Sequence, residues 1–243
     1  MKTDLVSIVK NKKIVLKTEP IVVALSGGVD SMVLFDILTK LNSNVVIAHV
    51  NHNKRPESID EYEYIQKMAK KRGVKFEGYT MSEHEQSNFQ HDSRMKRYDF
   101  FRAIAGKYKA KKIAVAHHLD DQVETVLMRI VRGTSFSGYT GIKEIRVDRN
   151  VSIIRPLMNI KKEDIIDYAK EHKIEYFEDS SNREDIYTRN RFRNSIIPLL
   201  REENPNLDRK IIQLAEYIDS ADELIEEIKN TFLKDFSMYN HVS

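Results

Sequence analysis

The stretch "IVVALSGGVDSMVLFDI" (Ile21–Ile37) decides how the rest of the chain is read. Its first half is a short, β-branched apolar run of the kind that forms a strand buried on both faces. Its second half, from Val29, places Val33, Ile37 and then Leu41 on one helical face, with Leu34 and Leu38 beside them. Between them lies Ser-Gly-Gly, a loop with almost no side chain. Strand, glycine loop and helix in this order begin a βαβ unit, and the same alternation continues along the chain. Apolar runs at 44–50, 74–80, 111–118 and 151–157 read as strands. Amphipathic segments at 57–73, 92–108, 120–133 and 161–172 read as helices. The pattern predicts an α/β fold, a Rossmann-like parallel sheet of five strands with helices on both faces. Residues 205–236 have helical periodicity and no strand partner, so they read as a C-terminal helical extension. We expect a catalytic domain over 1–202, an extension or connector over 203–243, and flexible loops at 81–91 and 134–150.

Composition narrows the chemistry. Among 243 residues, 41% are hydrophobic, enough for a sizeable core, and none is cysteine. Disulfides, thiolate metal sites and cysteine nucleophiles are excluded within this sequence. The N-terminus has no apolar signal region and no run approaches membrane-spanning length. These features predict a cytoplasmic protein with no membrane partner. The net charge of +3 is too small to indicate a partner by itself.

The loop "SGGVDS" (Ser26–Ser31) is suited to an anion. Gly27 and Gly28 leave backbone N–H groups open to a ligand, Ser26 and Ser31 add hydroxyls, and the helix starting at Val29 directs its positive end at the same space. The pattern is neither GxxxxGK[ST] nor GxGxxG. Asp30 would repel phosphates unless a divalent cation lay between, which points to ATP with Mg²⁺ held in part by Asp30. The plainer reading is a capped turn in which Asp30 serves backbone N–H groups.

Further motifs follow predicted strand ends, where ligands bind in such sheets. "HVNHNKR" brings His49, His52 and Arg55 to one end. Zinc is a rival reading there, but no third or fourth ligand has metal spacing. "AHHLDDQVET" (Ala116–Thr125) puts Asp121, Glu124 and Thr125 on one helical face, and Val123, Val126, Leu127 and Ile130 on a buried one. His117 and Asp121 are four apart and can face each other across a turn. Acids in a first helical turn, such as Asp120 and Asp121, are also ordinary dipole partners. "HDSRMKRYDFF" (91–101) carries Arg94 and Arg97 and opens the most basic stretch of the chain. Arg189, Arg191 and Arg193 form a second cluster, interleaved with Tyr187 and Phe192. Arginine with aromatics suits RNA phosphates and unstacked bases.

SGGVDS resembles the pyrophosphate loop of the N-type ATP pyrophosphatases, which cleave ATP between the α- and β-phosphates. Taken with HVNHNKR, RMKRYDFF, AHHLDDQVET, "RGTSFSGYTGI" (Arg132–Ile142), "RPL" (Arg155–Leu157), "EDSSN" (Glu178–Asn182) and "RNRFRNSIIP" (Arg189–Pro198), the likeness over about residues 20–200 is to the tRNA(Ile)-lysidine synthetases. That resemblance implies adenylation of a wobble cytidine in a tRNA(Ile) with a CAU anticodon, followed by ligation of free L-lysine. It implies ATP contacts from Ser26, Gly27, Gly28, Val29, Asp30, Ser31, His49, His52, Arg55, Arg94 and Arg97, with Mg²⁺ on Asp30. Catalytic work falls to Asp30, His117 and Asp121. Substrate and tRNA contacts fall to Asp120, Glu124, Arg132, Gly133, Gly138, Arg155, Arg189, Arg191 and Arg193. The glycine-rich loop after Arg132 would close over lysine or the activated base. Two departures stand out. His91–Asp92 replaces the usual Glu-Ala, and the chain ends soon after the region of likeness, as a minimal form or a shorter piece. The alternatives are another ligase of the same loop family acting on a small molecule, or a tRNA-binding module without catalysis. Oligomeric state stays open, a homodimer included.

Overall fold

Strand β1 (Ile21–Ala24) is apolar throughout and lies inside a six-stranded sheet. The sheet is seen in a computed structural model that describes residues 3–51, 57–81, 90–177 and 188–239. The strands are β1, β2 (Val45–Asn51), β3 (Lys75–Thr80), β4 (Lys112–Ala114), β5 (Ile145–Asp148) and β6 (Val151–Ile154), in the spatial order β3-β2-β1-β4-β6-β5. Ile21 is in register with Val45 of β2 on one side and Lys112 of β4 on the other, both parallel. Connections from β1 and β4 therefore leave in opposite directions, and the loop after β1 lies at the switch point where such sheets bind ligands.

The described residues confirm an α/β fold with one strand more than the five expected. The extra strand, β5, pairs antiparallel with β6 through the two-residue turn Arg149–Asn150. It arises from the stretch read as a flexible loop, 134–150, which also holds a 3₁₀ turn at Phe136–Thr140. β5 is mostly exposed, so no buried run announced it.

Alternate residues of each central strand feed two cores. Ile21 and Val23 of β1 and Val45 and Ile47 of β2 point to the face covered by α1 (Leu5–Asn11), α2 (Val29–Leu41), α3 (Glu57–Lys71) and α6 (Lys162–Glu171). Val22, Val46, Ala48 and Val50 point to the other face, which Tyr98, Phe101 and Ile104 of α4 (Gln90–Lys107) cover. α2 is buried from Ser31 to Leu38 rather than along one stripe.

The chain divides into two compact units: Met1–Leu119 with Glu144–Asp179, and Asp120–Lys143 with Ser180–Ser243. The first holds the sheet. The second contains most of α5 (Leu119–Arg132), α7 (Thr188–Arg191), a π-helical turn at Phe192–Ile196, α8 (Ile197–Glu203) and the 33-residue α9 (Leu207–Tyr239). Its core is Val123, Val126, Phe192, Ile197, Ile211 and Ala215. Ile130, expected on the buried face of α5, is exposed, whereas Glu124 is buried. Among the described residues no helix is long and apolar enough to cross a membrane.

Candidate functional site

In the first unit the loop Ser26–Ser31 is fixed by its own polar groups. Gly27 has φ +91°, a conformation that costs other residues strain, and a Cβ there would also meet Phe177 and Ile65 at 3.3 and 3.4 Å. The Ser31 hydroxyl, 4% exposed, accepts from the N–H groups of Ser26 (3.1 Å) and Gly27 (3.2 Å) and donates to the Gly28 carbonyl at 3.0 Å. Gly28 is the N-cap of α2 and offers no side-chain acceptor to the first N–H groups of that helix. A hydroxyl-braced turn thus leads into a helix start without a side-chain cap, an arrangement that favours an anionic ligand.

Asp30, in the first turn of α2, has a lysine and a histidine beside it. Lys162 Nζ donates to Oδ1 at 2.5 Å, and His118 Nε2 lies 3.7 Å from Oδ2. Lys162 is the first residue of α6, and His118 is buried just after β4. Among the described residues no cluster of three or more His, Asp or Glu could hold a metal by itself. A lone carboxylate nevertheless fits Mg²⁺, which keeps waters and binds through one or two carboxylates together with substrate phosphates. Asp30, beside the Ser26–Ser31 loop, has the donor chemistry that such a site requires.

His49 lies in the same unit but inside the core. It is 3% exposed, its Nδ1 is 2.7 Å from the Leu25 carbonyl, and its ring packs against Tyr62 and Phe76. Burial lowers its pKa despite the opposing bond to Leu25. Three arginines gather around Tyr98. Arg94 and Arg97 place their guanidinium carbons 5.7 and 6.0 Å from its ring, and Arg155 is buried and hydrogen-bonded to it. Burial lowers the pKa of both Arg97 and Arg155, and neighbouring Arg94 adds to this. The rest of the basic stretch is partly neutralised within the fold. Arg102 binds Asp99 and Asp148, each at 2.6 Å, and Lys107 binds Glu77.

The second unit carries a separate network of two acids and two arginines. Asp121 and Glu124 are three apart on α5, and Arg189 and Arg193 are four apart across α7 and the π-helical turn, so each pair shares a face. Arg189 donates to Glu124 at 2.7 Å and to Asp121 at 2.8 Å. Arg193 donates to both Glu124 oxygens, at 2.5 and 3.0 Å. The Glu124 side chain is 1% exposed, and two forked guanidiniums compensate its buried charge. Arg191 falls off that face, is exposed and contacts Thr188 at 3.2 Å. Asp120 accepts from Arg201, which also binds Asp208, so it ties α5 to the end of α8 and the start of α9. The glycine-rich segment is anchored as well. Gln122 binds the Thr140 carbonyl and the Ile142 N–H, and Arg129 binds the Gly138 and Gly141 carbonyls. Gly138 and Gly141 are needed there, since a Cβ would overlap Thr134 or the Gln122 amide. Arg132 and Gly133 end α5 in exposed positions.

Several expectations need correcting. α5 begins at Leu119, so His117 and Asp121 are not a turn apart on one helix. The histidine near Asp30, 3.7 Å away, is His118, which the motif reading did not single out. Phe192 belongs to the core and cannot stack on an RNA base. His52, Arg55, Tyr187 and the Glu178–Asn182 motif lie outside the described residues. Lys162, which contacts Asp30, belongs to none of the sequence motifs. Its only sequence signal is a position at the start of a helix that follows a strand end.

Residues 1–200 match the PP-loop domain family. The chain belongs to the PP-loop family. Ser26–Ser31 is the segment that we read as its PP-loop. Among curated relatives, the tRNA(Ile)-lysidine synthase of Enterococcus faecalis is 38% identical over 214 residues, covering 86% of this chain and 46% of that protein. The bifunctional protein TilS/HprT of Listeria monocytogenes serotype 4b is 34% identical over 237 residues, covering 93% of this chain and 36% of that protein. The chain thus spans less than half the length of these two relatives. Among solved structures, the U34-tRNA thiolase NcsA from Methanococcus maripaludis superposes with a TM-score of 0.73 at 17% identity, covering 88% of this chain and 77% of that one. This likeness concerns the PP-loop fold. The NcsA structure contains a 4Fe-4S cluster, whereas the present sequence has no cysteine to ligate one.

Proposed function

We propose that this chain is the catalytic portion of a tRNA(Ile)-lysidine synthase, an ATP-dependent ligase that forms a carbon–nitrogen bond. The observation that carries the proposal is the similarity to proteins of that name over 86–93% of the chain, together with an intact PP-loop and a paired acid–arginine network. The substrates are ATP, free L-lysine and a tRNA(Ile) with a CAU anticodon. The cytidine C2 oxygen at the wobble position attacks the ATP α-phosphorus and pyrophosphate leaves. The lysine ε-amine then attacks C2, AMP leaves with the former C2 oxygen, and the amine loses a proton. The products are lysidine-bearing tRNA, AMP and pyrophosphate, and the codon read changes from AUG to AUA.

Ser26, Gly27, Gly28 and Ser31 hold the departing pyrophosphate through backbone N–H groups and hydroxyls. Asp30 would hold Mg²⁺, whose charge would offset that of the phosphates. Arg94, Arg97 and Arg155 suit a phosphate group from nucleotide or tRNA. Asp121 orients the lysine ammonium and accepts a proton as the bond forms. With free pKa values near 10.4 and 3.9, complete transfer to a carboxylate before attack is uphill by about 9 kcal/mol. Proton loss is therefore coupled to C–N bond formation, and His117 is the competing base. Glu124 shares the acidic face with Asp121, and Arg189 with Arg193 sets its charge balance.

Two variants test these assignments. Asp121→Asn is expected to lower lysine transfer at least 100-fold while formation of the adenylated tRNA continues; unchanged transfer removes Asp121 from the mechanism. Asp30→Ala is expected to abolish Mg²⁺-dependent pyrophosphate release, and full retention contradicts its role.

A further inference from the structure

We propose that Lys162 is a phosphate-binding residue of the PP-loop, resting on Asp30 in the unliganded chain and moving to the pyrophosphate oxygens when nucleotide binds. The inference rests on the reading of Ser26–Ser31 as a phosphate cradle and of Asp30 as the metal ligand.

Its basis is the ion pair at the loop. The Lys162 ammonium is 2.5 Å from Asp30 Oδ1, and both side chains keep contact with solvent, at 35% and 28% exposure. Such a pair contributes little to stability, since screening and side-chain entropy offset most of its attraction. The position of Lys162 is nevertheless well determined. α2 and α6 run in the same direction with one register. Asp30 meets Lys162, and six residues further along each helix Asp36 accepts from Tyr168 at 2.9 Å. This second contact is buried and fixes the two helices against each other, so the first residue of α6 stands beside the first turn of α2. The PP-loop itself has no lysine, unlike GxxxxGK[ST] loops, where a lysine inside the motif reaches the phosphates. Lys162 brings an equivalent charge to the loop from the distant α6.

Electrostatics then dictates an exchange. An ammonium and a divalent cation on one carboxylate repel each other, so Lys162 gives up Asp30 once the metal is bound there. Pyrophosphate carries several negative charges beside the same carboxylate, and a flexible four-carbon stem lets the ammonium follow them. Lys162 thus binds the leaving group, and without nucleotide it neutralises Asp30.

The test is calorimetric titration of inorganic pyrophosphate, with and without Mg²⁺, into the wild type and the variants Lys162→Met, Lys162→Gln, Lys162→Arg and Asp30→Asn. Thermal melts check that each variant is folded. The expected result is at least tenfold weaker pyrophosphate binding in Lys162→Met and Lys162→Gln with Mg²⁺ present, a smaller salt dependence, and partial recovery in Lys162→Arg. Mg²⁺ alone is expected to bind Lys162→Met more tightly than the wild type. If Lys162→Met and Lys162→Gln bind pyrophosphate within twofold of the wild type, the lysine is only a structural partner of Asp30 and the inference is wrong. If the wild type binds no pyrophosphate and Asp30→Asn behaves identically, the phosphate-cradle reading fails first and Lys162 falls with it.

Discussion

A histidine at a strand end invites a catalytic role, and His49 illustrates how burial changes that reading. Its ring is committed to the Leu25 carbonyl and two aromatic neighbours, and burial holds its pKa below the usual value of 6.5. The folded chain therefore prefers the neutral ring. From pH 6.5 downward the unfolded chain binds the proton more readily, so the His49 contribution is complete above that pH and is lost on acidification. The stability advantage of the wild type over His49→Gln is expected to shrink between pH 7 and pH 5 in denaturant titrations; a constant difference would contradict the assignment. Sequence spacing alone placed Asp121 with Glu124 on one face of α5, and Asp30 after the glycines, because helix periodicity and loop order are local properties. Lys162 and His118 were not legible in that way. Asp30 and Lys162 are 132 positions apart, and His118 comes to Asp30 from beyond the end of a different strand, β4.

The pairing of α2 with α6 is the element that brings the PP-loop together with Lys162. Burial alone would raise the pKa of Asp36, but hydrogen bonds from Lys40 and Tyr168, the Lys40 charge and Arg72 outweigh it and hold the carboxyl below 3.8. A depressed carboxyl stabilises the fold above its unfolded pKa, and the effect is lost as pH falls through the folded value. Asp36→Asn is expected to cost about 1–3 kcal/mol at pH 7, with the deficit closing below about pH 4 in thermal or denaturant melts. A deficit independent of pH would mean that Asp36 acts by packing alone. α2, α3, α6 and the long α9 were legible because apolar spacing of three and four persists over their length. β5 was not, since its residues are mostly exposed and lack an apolar run. α1 was also not anticipated; it is only seven residues long and buries just Leu5 and Val9 completely. The arginine clusters were visible as charge, but their partners came from other elements, so a reading toward RNA overlooked how many of these charges the fold itself neutralises.

For the whole molecule, the two units carry two different sets of candidate site residues. The sheet unit carries Ser26–Ser31 with Asp30 and Lys162, the residues proposed to handle phosphate, while the second unit carries Asp121 and Glu124 paired with two arginines. The α/β order was legible along the whole chain because alternating strands and helices leave a simple pattern of apolar runs. The way the chain leaves the sheet unit after Leu119 and returns at Glu144 was not, because no change in composition marks those points. The proposed reaction needs both sets of residues, one to activate an RNA base and the other to bring an amine to it. The most direct measurement incubates the chain with ATP, Mg²⁺, radiolabelled lysine and tRNA(Ile) bearing a CAU anticodon. The account predicts ATP-dependent label in the tRNA that survives mild alkaline deacylation. Label that deacylation removes from the 3′ end, or no ATP-dependent label at all, would contradict it.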